Sequence, residues 1–287
     1  MKILLGTPVH GGVVCLGYHE AIIRMLAVFR ESFPTVHFEH RSPVSSMVTF
    51  ARNLLASMVL NDKSFSHLLF IDSDMVFSPA LIAKMIAFNK PVVGCLCPMK
   101  TFDYTWFHAS GVIHENPLIA RFLANNYVAG DALMMTTAPN GESRPELVDG
   151  FVRAAYGGTG IMLIQRDVFE QLKERFPELW AEKASAAYHA FGLRGGVLQC
   201  FETIPGDNGV YNGEDVSFCH RWVNGCGGEV WCCVDEIIGH IGQETFMGQY
   251  LVKMQKGESL FSLPGEGVAP PPGDRNVRRT GAQSIAL

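Results

Sequence analysis

His67-Leu68-Leu69-Phe70-Ile71-Asp72-Ser73-Asp74 is the stretch on which the fold turns. Four large apolar side chains in a row run directly into a pair of carboxylates. A short unbroken apolar run of this kind reads as a strand buried on both faces. Upstream, Lys2 to Val9 is a similar run, ending near Thr7-Pro8 before a Gly11-Gly12 loop. Between the two, Tyr18 to Phe33 carries Ile22, Ile23, Leu26, Ala27 and Phe29 at helical spacing, and Pro34 stops it. Thr35 to Arg41 alternates Val36 and Phe38 with polar residues, as a strand does. Ser45 or Ser46 is expected to cap a helix running to about Leu60. Downstream, Ser78-Pro79 opens a further helix, with serine at the cap and proline in the first turn. Pro91 to Cys97 is another buried strand.

This alternation predicts an α/β fold: a Rossmann-like, mostly parallel central sheet flanked by helices. Ligands of such sheets sit at the carboxyl ends of the strands, where Asp72-Ser73-Asp74 falls. From Met99 to about Gly150 the pattern blurs into an excursion rich in aromatics (Phe102, Tyr104, Trp106, Phe107), suited to shaping a second pocket. Strand character returns at Val148 to Ala154 and at Gly160 to Ile164, followed by a helix over Asp167 to Phe176. A helix starts at Gly213-Glu214-Asp215 and runs to about Asn224, and a strand follows through Val234. The expected organisation is one domain over 1–260, in halves of about 1–100 and 100–260, and a flexible Pro/Gly-rich tail over 261–287.

Composition narrows the class. With 48% apolar and only 18% charged residues in 287, the chain has ample material for a core, so a mainly disordered protein is excluded. A net charge of −5 offers no general basic face for nucleic acid. The opening apolar stretch breaks at Gly6 and Pro8, too short for a signal-peptide core, and no run approaches a bilayer span. A cytoplasmic protein without a transmembrane segment is expected. The eight cysteines lack zinc or disulfide-framework spacing and read as buried free thiols.

Several residues are able to do chemistry. Asp72 and Asp74, two apart on an extended chain, point the same way and repel unless a cation sits with them. The bland alternative is a cap and a solvated acid, but Ser78 already caps the next helix. His240, in Ile238-Gly239-His240-Ile241-Gly242, is either a structural histidine or a third ligand joining Asp72 and Asp74. Glu214 and Asp215 either complement a helix dipole or include a general base. Gly157-Gly158-Thr159-Gly160 lets backbone approach a ligand, but lacks the lysine and helix of a phosphate-binding P-loop. Arg52 and Lys100 are solvated cations or partners of a nucleotide diphosphate; for Arg52 the solvated state is the plainer reading.

These motifs, in this order, resemble the GT-A glycosyltransferases, and among them the family-two-like enzymes of bacteria and phages. The match rests on Gly6-Thr7-Pro8, Ala51-Arg52-Asn53, Phe70-Ile71-Asp72-Ser73-Asp74-Met75, and Gly157-Gly158-Thr159-Gly160 with Arg166-Asp167-Val168-Phe169. It continues in Gly213-Glu214-Asp215-Val216-Ser217-Phe218-Cys219 with Arg221-Trp222, and in Gly239-His240-Ile241-Gly242. The resemblance covers residues 1 to about 250. It implies a hexosyltransferase-like enzyme with Mn²⁺ or Mg²⁺ as cofactor and a nucleoside-diphosphate sugar as donor, UDP-sugar favoured. Thr7, Pro8 and Val9 would line the base and ribose. Arg52, Asp72, Ser73, Lys100, Gly158 and Thr159 would complete the nucleotide-sugar site. Asp72, Asp74 and His240 would hold the metal. Asp215 would be the base of an inverting transfer, with Glu214 positioning the acceptor. The acceptor itself stays open among a glycan, a lipid-linked sugar, a protein and modified nucleic acid, and an oligomer is possible. Cys219-His220-Arg221-Trp222 lacks the glutamine of the Gln-x-x-Arg-Trp motif of processive synthases, which favours single addition. Two rivals stay in view. One is a nucleotidyltransferase on the same scaffold, disfavoured because Val9 to Val14 contains no lysine or arginine. The other is a non-catalytic nucleotide-sugar binder.

Overall fold

The structure is a computed structural model that describes residues 1–111, 116–137, 141–206 and 209–242. The tail expected over 261–287, and the end of a domain expected to reach 260, lie outside the described residues.

The first part of the chain alternates as its apolar runs require. In order come β1 (Lys2–Gly6), α1 (Leu16–Ser32), β2 (His37–Arg41), α2 (Val48–Asn61), β3 (His67–Ile71), β4 (Met75–Val76), α3 (Pro79–Phe88) and β5 (Val92–Cys95). Every residue of β3 and β5 is buried, which is why both strands read as unbroken runs. Ser78 caps α3 as expected, its hydroxyl accepting from the Ala80 N–H at 3.2 Å with Pro79 in the first turn. Helix α2 departs from expectation: Met47, not a serine, stands at its N-cap. The Ser45 hydroxyl instead accepts from the Met47 N–H at 3.1 Å, a local turn that competes with capping and delays the helix. Its far end is closed by Arg166, which donates to the carbonyls of Val59, Leu60 and Asp62 and so satisfies orphan acceptors of the last turn.

The excursion has structure of its own: β6 (Pro98–Phe102), α4 (Tyr104–Ala109), α5 (Pro117–Ala124), β7 (Asn125–Tyr127), β8 (Met135–Thr137) and β9 (Ser143–Pro145). Strand β6 pairs with β7, and β8 with β9. Helix α4 buries none of its residues, so the apolar spacing that marks a core-facing helix is missing there.

The stretch from Val148 to Ala154 is not one strand. It holds the end of β10 (Leu147–Val148), a two-residue turn and all of β11 (Phe151–Ala154), which pair as a hairpin. Asp149 and Gly150 both have positive φ, 51° and 80°, as a two-residue type I′ turn demands. There follow β12 (Ile161–Gln165), α6 (Arg166–Arg175), β13 (Trp180–Ala181), α7 (Ala186–Ala190) and β14 (Val197–Leu198). Last come α8 (Glu214–His220), prolonged by a π-helical turn over Arg221–Gly225, then β15 (Val230–Cys233) and β16 (Gly239–His240).

The central sheet has the order β10-β11-β15-β5-β12-β3-β1-β2. Strand β1 is parallel to β2 and β3, and β15 is parallel to β5. Strand β12 runs antiparallel between β3 and β5, and β11 antiparallel to β15. Strands β1, β2, β3, β5 and β15 thus point one way, and the mostly parallel sheet flanked by helices is as the sequence predicts. Their carboxyl ends form one edge. On one face Leu55 of α2, Phe169 of α6 and Phe218 and Trp222 of the α8 region pack with Phe70 and Phe201. On the other, Met25 and Phe29 of α1 and Leu81 and Met85 of α3 pack with Ile3, Leu5 and Ile71. Phe201 stacks on Phe218, centroids 4.6 Å apart, and meets Phe70 edge-on at 5.5 Å. These contacts tie the body of α8 to β3 through Phe201.

All eight cysteines are free thiols, most of them buried. Burial pushes the Cys219 thiol up to about 12, which leaves it protonated and inert at neutral pH. Among the described residues no helix is long and apolar enough to cross a membrane.

Candidate active site

The chain turns as it leaves β3. The Met75 N–H donates to the Asp72 carbonyl at 3.1 Å, so Asp72-Ser73-Asp74 is not extended. The expectation that the two carboxylates point the same way therefore fails, and each finds its own partners.

Asp72 is gripped by Arg52. One guanidinium nitrogen, Nη2, donates to both Asp72 oxygens at 3.2 Å, while Nε donates to Glu214 Oε1 at 3.1 Å. Arg52 lies inside α2 with its side chain only 4% exposed, so the solvated alternative is excluded. Burial would depress its pKa, but the charges of Asp72 and Glu214 outweigh that and raise it. Burial also raises the Asp72 carboxyl, more than Arg52 lowers it. Arg52 Nη1 is buried and has no hydrogen-bond partner. The next residue, Asn53, donates from its side chain to Glu202 at 2.8 Å and accepts from the Phe201 N–H at 2.9 Å. Two successive residues of α2 thus tie β3, the loop at Phe201 and the start of α8 together.

Asp74 meets a second group. Strand β16 lies antiparallel to β4, with His240 opposite Met75, and the Ile241 N–H donates to the Asp74 carbonyl at 2.9 Å. His240 Nε2 stands 3.5 Å from Asp74 Oδ1, and Lys100 of β6 pairs with Oδ2. His240 Nδ1 is 2.8 Å from the Pro98 carbonyl. A carbonyl only accepts, so Nδ1 carries the proton. Asp74 Oδ1 is buried without a hydrogen-bond partner. Burial works to raise the Asp74 carboxyl, yet His240 and Lys100 hold it down at about 2. The Asp74 carboxylate in turn raises the His240 pKa against the effect of burial.

Asp72 and His240 thus belong to different clusters. Among the described residues no three histidine, cysteine or acidic side chains gather tightly enough to hold a metal ion. Of the three residues expected to ligate together, Asp74 and His240 meet, and Asp72 pairs with Arg52 instead. The physical reason is Arg52, which engages both oxygens of the first carboxylate.

Asp215 is flanked by glycines. A side chain on Gly213 would begin 3.0 Å from Asp215 Oδ1, and one on Gly158 would begin 3.8 Å from Oδ2. Burial, then the neighbouring Glu214 charge, raises the Asp215 carboxyl above its ordinary value. The glycine segment also ties into the other cluster, because the Asp72 N–H donates to the Gly160 carbonyl at 2.8 Å. Thr159 is buried beneath it, and the Ser73 carbonyl accepts from the Cys15 N–H at 2.9 Å.

Thr7 and Val9 are buried, and Pro8 between them is half-buried. The Thr7 hydroxyl is 2.6 Å from that of Tyr18 and 3.2 Å from His40 Nε2. Val9 bridges to Val44, holding the loops after β1 and β2 together. Sequence reasoning missed Tyr18, His40 and Glu202. Each takes part through a contact across elements, which leaves no local signal beyond the Asn53 beside Arg52.

No protein-family model matches this sequence, and no curated protein matches it. Solved structures show a distant likeness. A197 from STIV is 14% identical, with 85% of this chain and 87% of that chain covered and a TM-score of 0.43. GalNAc-T7, solved with UDP, GalNAc and Mn²⁺, is 10% identical over 85% of this chain and 43% of that one, with a TM-score of 0.41. A glycosyltransferase involved in glycosylating the major capsid of PBCV-1 is 13% identical over 62% and 66%, with a TM-score of 0.25. Likeness at this level carries no functional conclusion; function has to be argued from the geometry of the site.

Proposed function

We propose that this protein is a metal-dependent glycosyltransferase of the GT-A type, moving a sugar from a nucleoside-diphosphate sugar, UDP-sugar favoured, to an acceptor hydroxyl. One observation carries the reading: the meeting of His240 and Asp74 at the carboxyl edge of the sheet. With Nδ1 pinned to the Pro98 carbonyl, a neutral imidazole turns a bare Nε2 toward a buried, partnerless carboxylate oxygen. Two lone pairs facing each other at 3.5 Å repel unless a proton or a cation lies between them. A histidine whose other nitrogen is fixed by a carbonyl is the usual form of a metal ligand. This donor set of one carboxylate and one imidazole suits Mn²⁺, or Mg²⁺, with remaining positions open to diphosphate oxygens. Bound there, the cation would offset the charge of the departing nucleoside diphosphate.

The chain's own residues divide the remaining work. Lys100, on the other oxygen of Asp74, adds a positive charge for the diphosphate. Arg52 orients Asp72 toward the ribose or donor sugar and holds Glu214 where it positions the acceptor. The glycines at 157, 158 and 160 let backbone come close to the substrates. Asp215, its pKa raised by burial, accepts the proton of the attacking hydroxyl, as an inverting transfer needs. Holding both substrates in line supplies the positioning part of the acceleration.

Thermal melting with Mn²⁺ and UDP, GDP, CDP or TDP tests the reading. UDP with Mn²⁺ should stabilise the protein by about 2.7 kcal/mol at roughly 100 times its dissociation constant. If no nucleoside diphosphate raises the melting temperature, the proposed donor site does not exist.

A further inference from the structure

Asp131 of the excursion and Tyr156, just after β11, form a pair that the donor reading does not use. Ala155 donates its N–H to the Ala132 carbonyl at 2.8 Å, and Leu133 bridges to Ala154, so the chain around 132 runs beside the end of β11. Within this ladder the Tyr156 hydroxyl donates to Asp131 Oδ1 at 3.0 Å. Two residues beyond Tyr156, Gly158 packs on Val128, and its missing side chain would begin 3.8 Å from Asp215 Oδ2. Tyr156 is also close enough to Asp215 for that carboxylate's charge to act on its phenol, which brings the pair into the neighbourhood of the candidate base. Asp131 is exposed and Tyr156 half-buried, so the pair is open to a ligand.

Charge decides which ligand fits. Asp131, Glu214 and Asp215 are acidic, while Arg52 is engaged by Asp72 and Glu214 and Lys100 by Asp74. A phosphorylated lipid, a nucleic acid or another polyanion would meet like charge here. A neutral polyhydroxylated ring would instead find a carboxylate to accept from its hydroxyls, a phenol oxygen able to accept another, and the half-buried Tyr156 ring for its C–H surface.

We propose that Tyr156 and Asp131 form the acceptor subsite and that the acceptor is an uncharged saccharide; this rests on the reading of Asp215 as base. One saccharide hydroxyl loses its proton to the Asp215 carboxylate. Its oxygen bonds to the anomeric carbon of the donor sugar as the bond from that carbon to the diphosphate oxygen breaks. The bonding electron pair leaves with the nucleoside diphosphate.

The test is binding of the full chain, with UDP and Mn²⁺, to an array of neutral, sialylated and phosphorylated glycans, beside the melting measurement. Tyr156→Phe keeps the ring and removes the hydroxyl, and Asp131→Ala alters an exposed position. Both should weaken binding of neutral glycans roughly 10-fold, the worth of one or two hydrogen bonds, and leave the UDP–Mn²⁺ melting shift unchanged. Unchanged glycan binding in both variants overturns the proposal. So does a wild-type chain that binds no neutral glycan or prefers phosphorylated ones. A chain that binds neutral glycans through these two residues but shows no UDP shift supports the saccharide site and removes the donor reading.

Discussion

His240 Nε2 stands 3.5 Å from Asp74 Oδ1 because two strands of two residues each, β16 and β4, lie antiparallel beside the end of β3. The imidazole comes from near the end of the described chain and the carboxylate from its first third. Lys100 of β6 closes the group from a third direction. The pair is set by backbone pairing, since His240 is opposite Met75 and the Ile241 N–H holds the Asp74 carbonyl.

Asp74→Asn should remove the response to the cation. The wild-type melting shift with UDP and Mn²⁺, about 2.7 kcal/mol near 100 times the dissociation constant, should disappear while the ligand-free chain stays folded. Scanning fluorimetry reads both quantities. A variant that keeps the full shift excludes Asp74 as a ligand.

Arg52→Ala should be among the most damaging single changes. It leaves Asp72 and Glu214, both half-buried, without their counter-charge, so the loss should approach but stay under the roughly 3–5 kcal/mol of a fully buried broken pair. The urea midpoint should fall accordingly. Arg52→Lys should not restore it, because one ammonium lacks the fork that reaches two carboxylates.

Asp215→Asn should lower transfer by roughly 10²- to 10⁴-fold and leave the UDP–Mn²⁺ melting shift intact. Only the ionised carboxylate accepts a proton. The wild-type rate should therefore climb as pH rises through the Asp215 pKa and level off above it. Burial and Glu214 set that climb above the ordinary carboxylate value of 3.8. A pH–rate profile measured at saturating donor checks the sign, and an active Asn variant excludes Asp215 as base.

Acid should destabilise the chain through two histidines. Burial lowers the pKa of His67, on β3, and of His40, beside Thr7, below the ordinary 6.5. Below pH 6.5 the unfolded chain binds protons that the folded chain refuses, so stability is complete above that pH and is lost as pH falls through the lowered folded values. His240, whose pKa Asp74 raises, works in the opposite sense over the same window, so the check is a comparison of urea midpoints at pH 7.5 and pH 5.5 in the wild type and in His67→Gln. The variant should lose less stability on acidification than the wild type, and an unchanged pH difference would show that the His67 imidazole is not held neutral.

The strands and helices of the central sheet, and the carboxylates at the end of its buried third strand, were legible from residue order alone. Apolar spacing is a local property, and Ser78-Pro79 announces α3 within two residues. Asp149-Gly150 was equally legible as a hairpin turn, since positive φ at both positions favours that dipeptide, yet the run from Val148 to Ala154 reads at first as one strand. Which acid meets which partner was settled by the folded chain instead. Arg52 sits in a helix whose sequence does not reveal that its outlet is an interior flanked by β3 and α8. Asp72 and Asp74 share a motif but diverge, because the chain turns between them and Arg52 takes the first. Such pairings depend on sheet order and on side chains reaching across elements, and the spacing of residues along the chain holds no record of either.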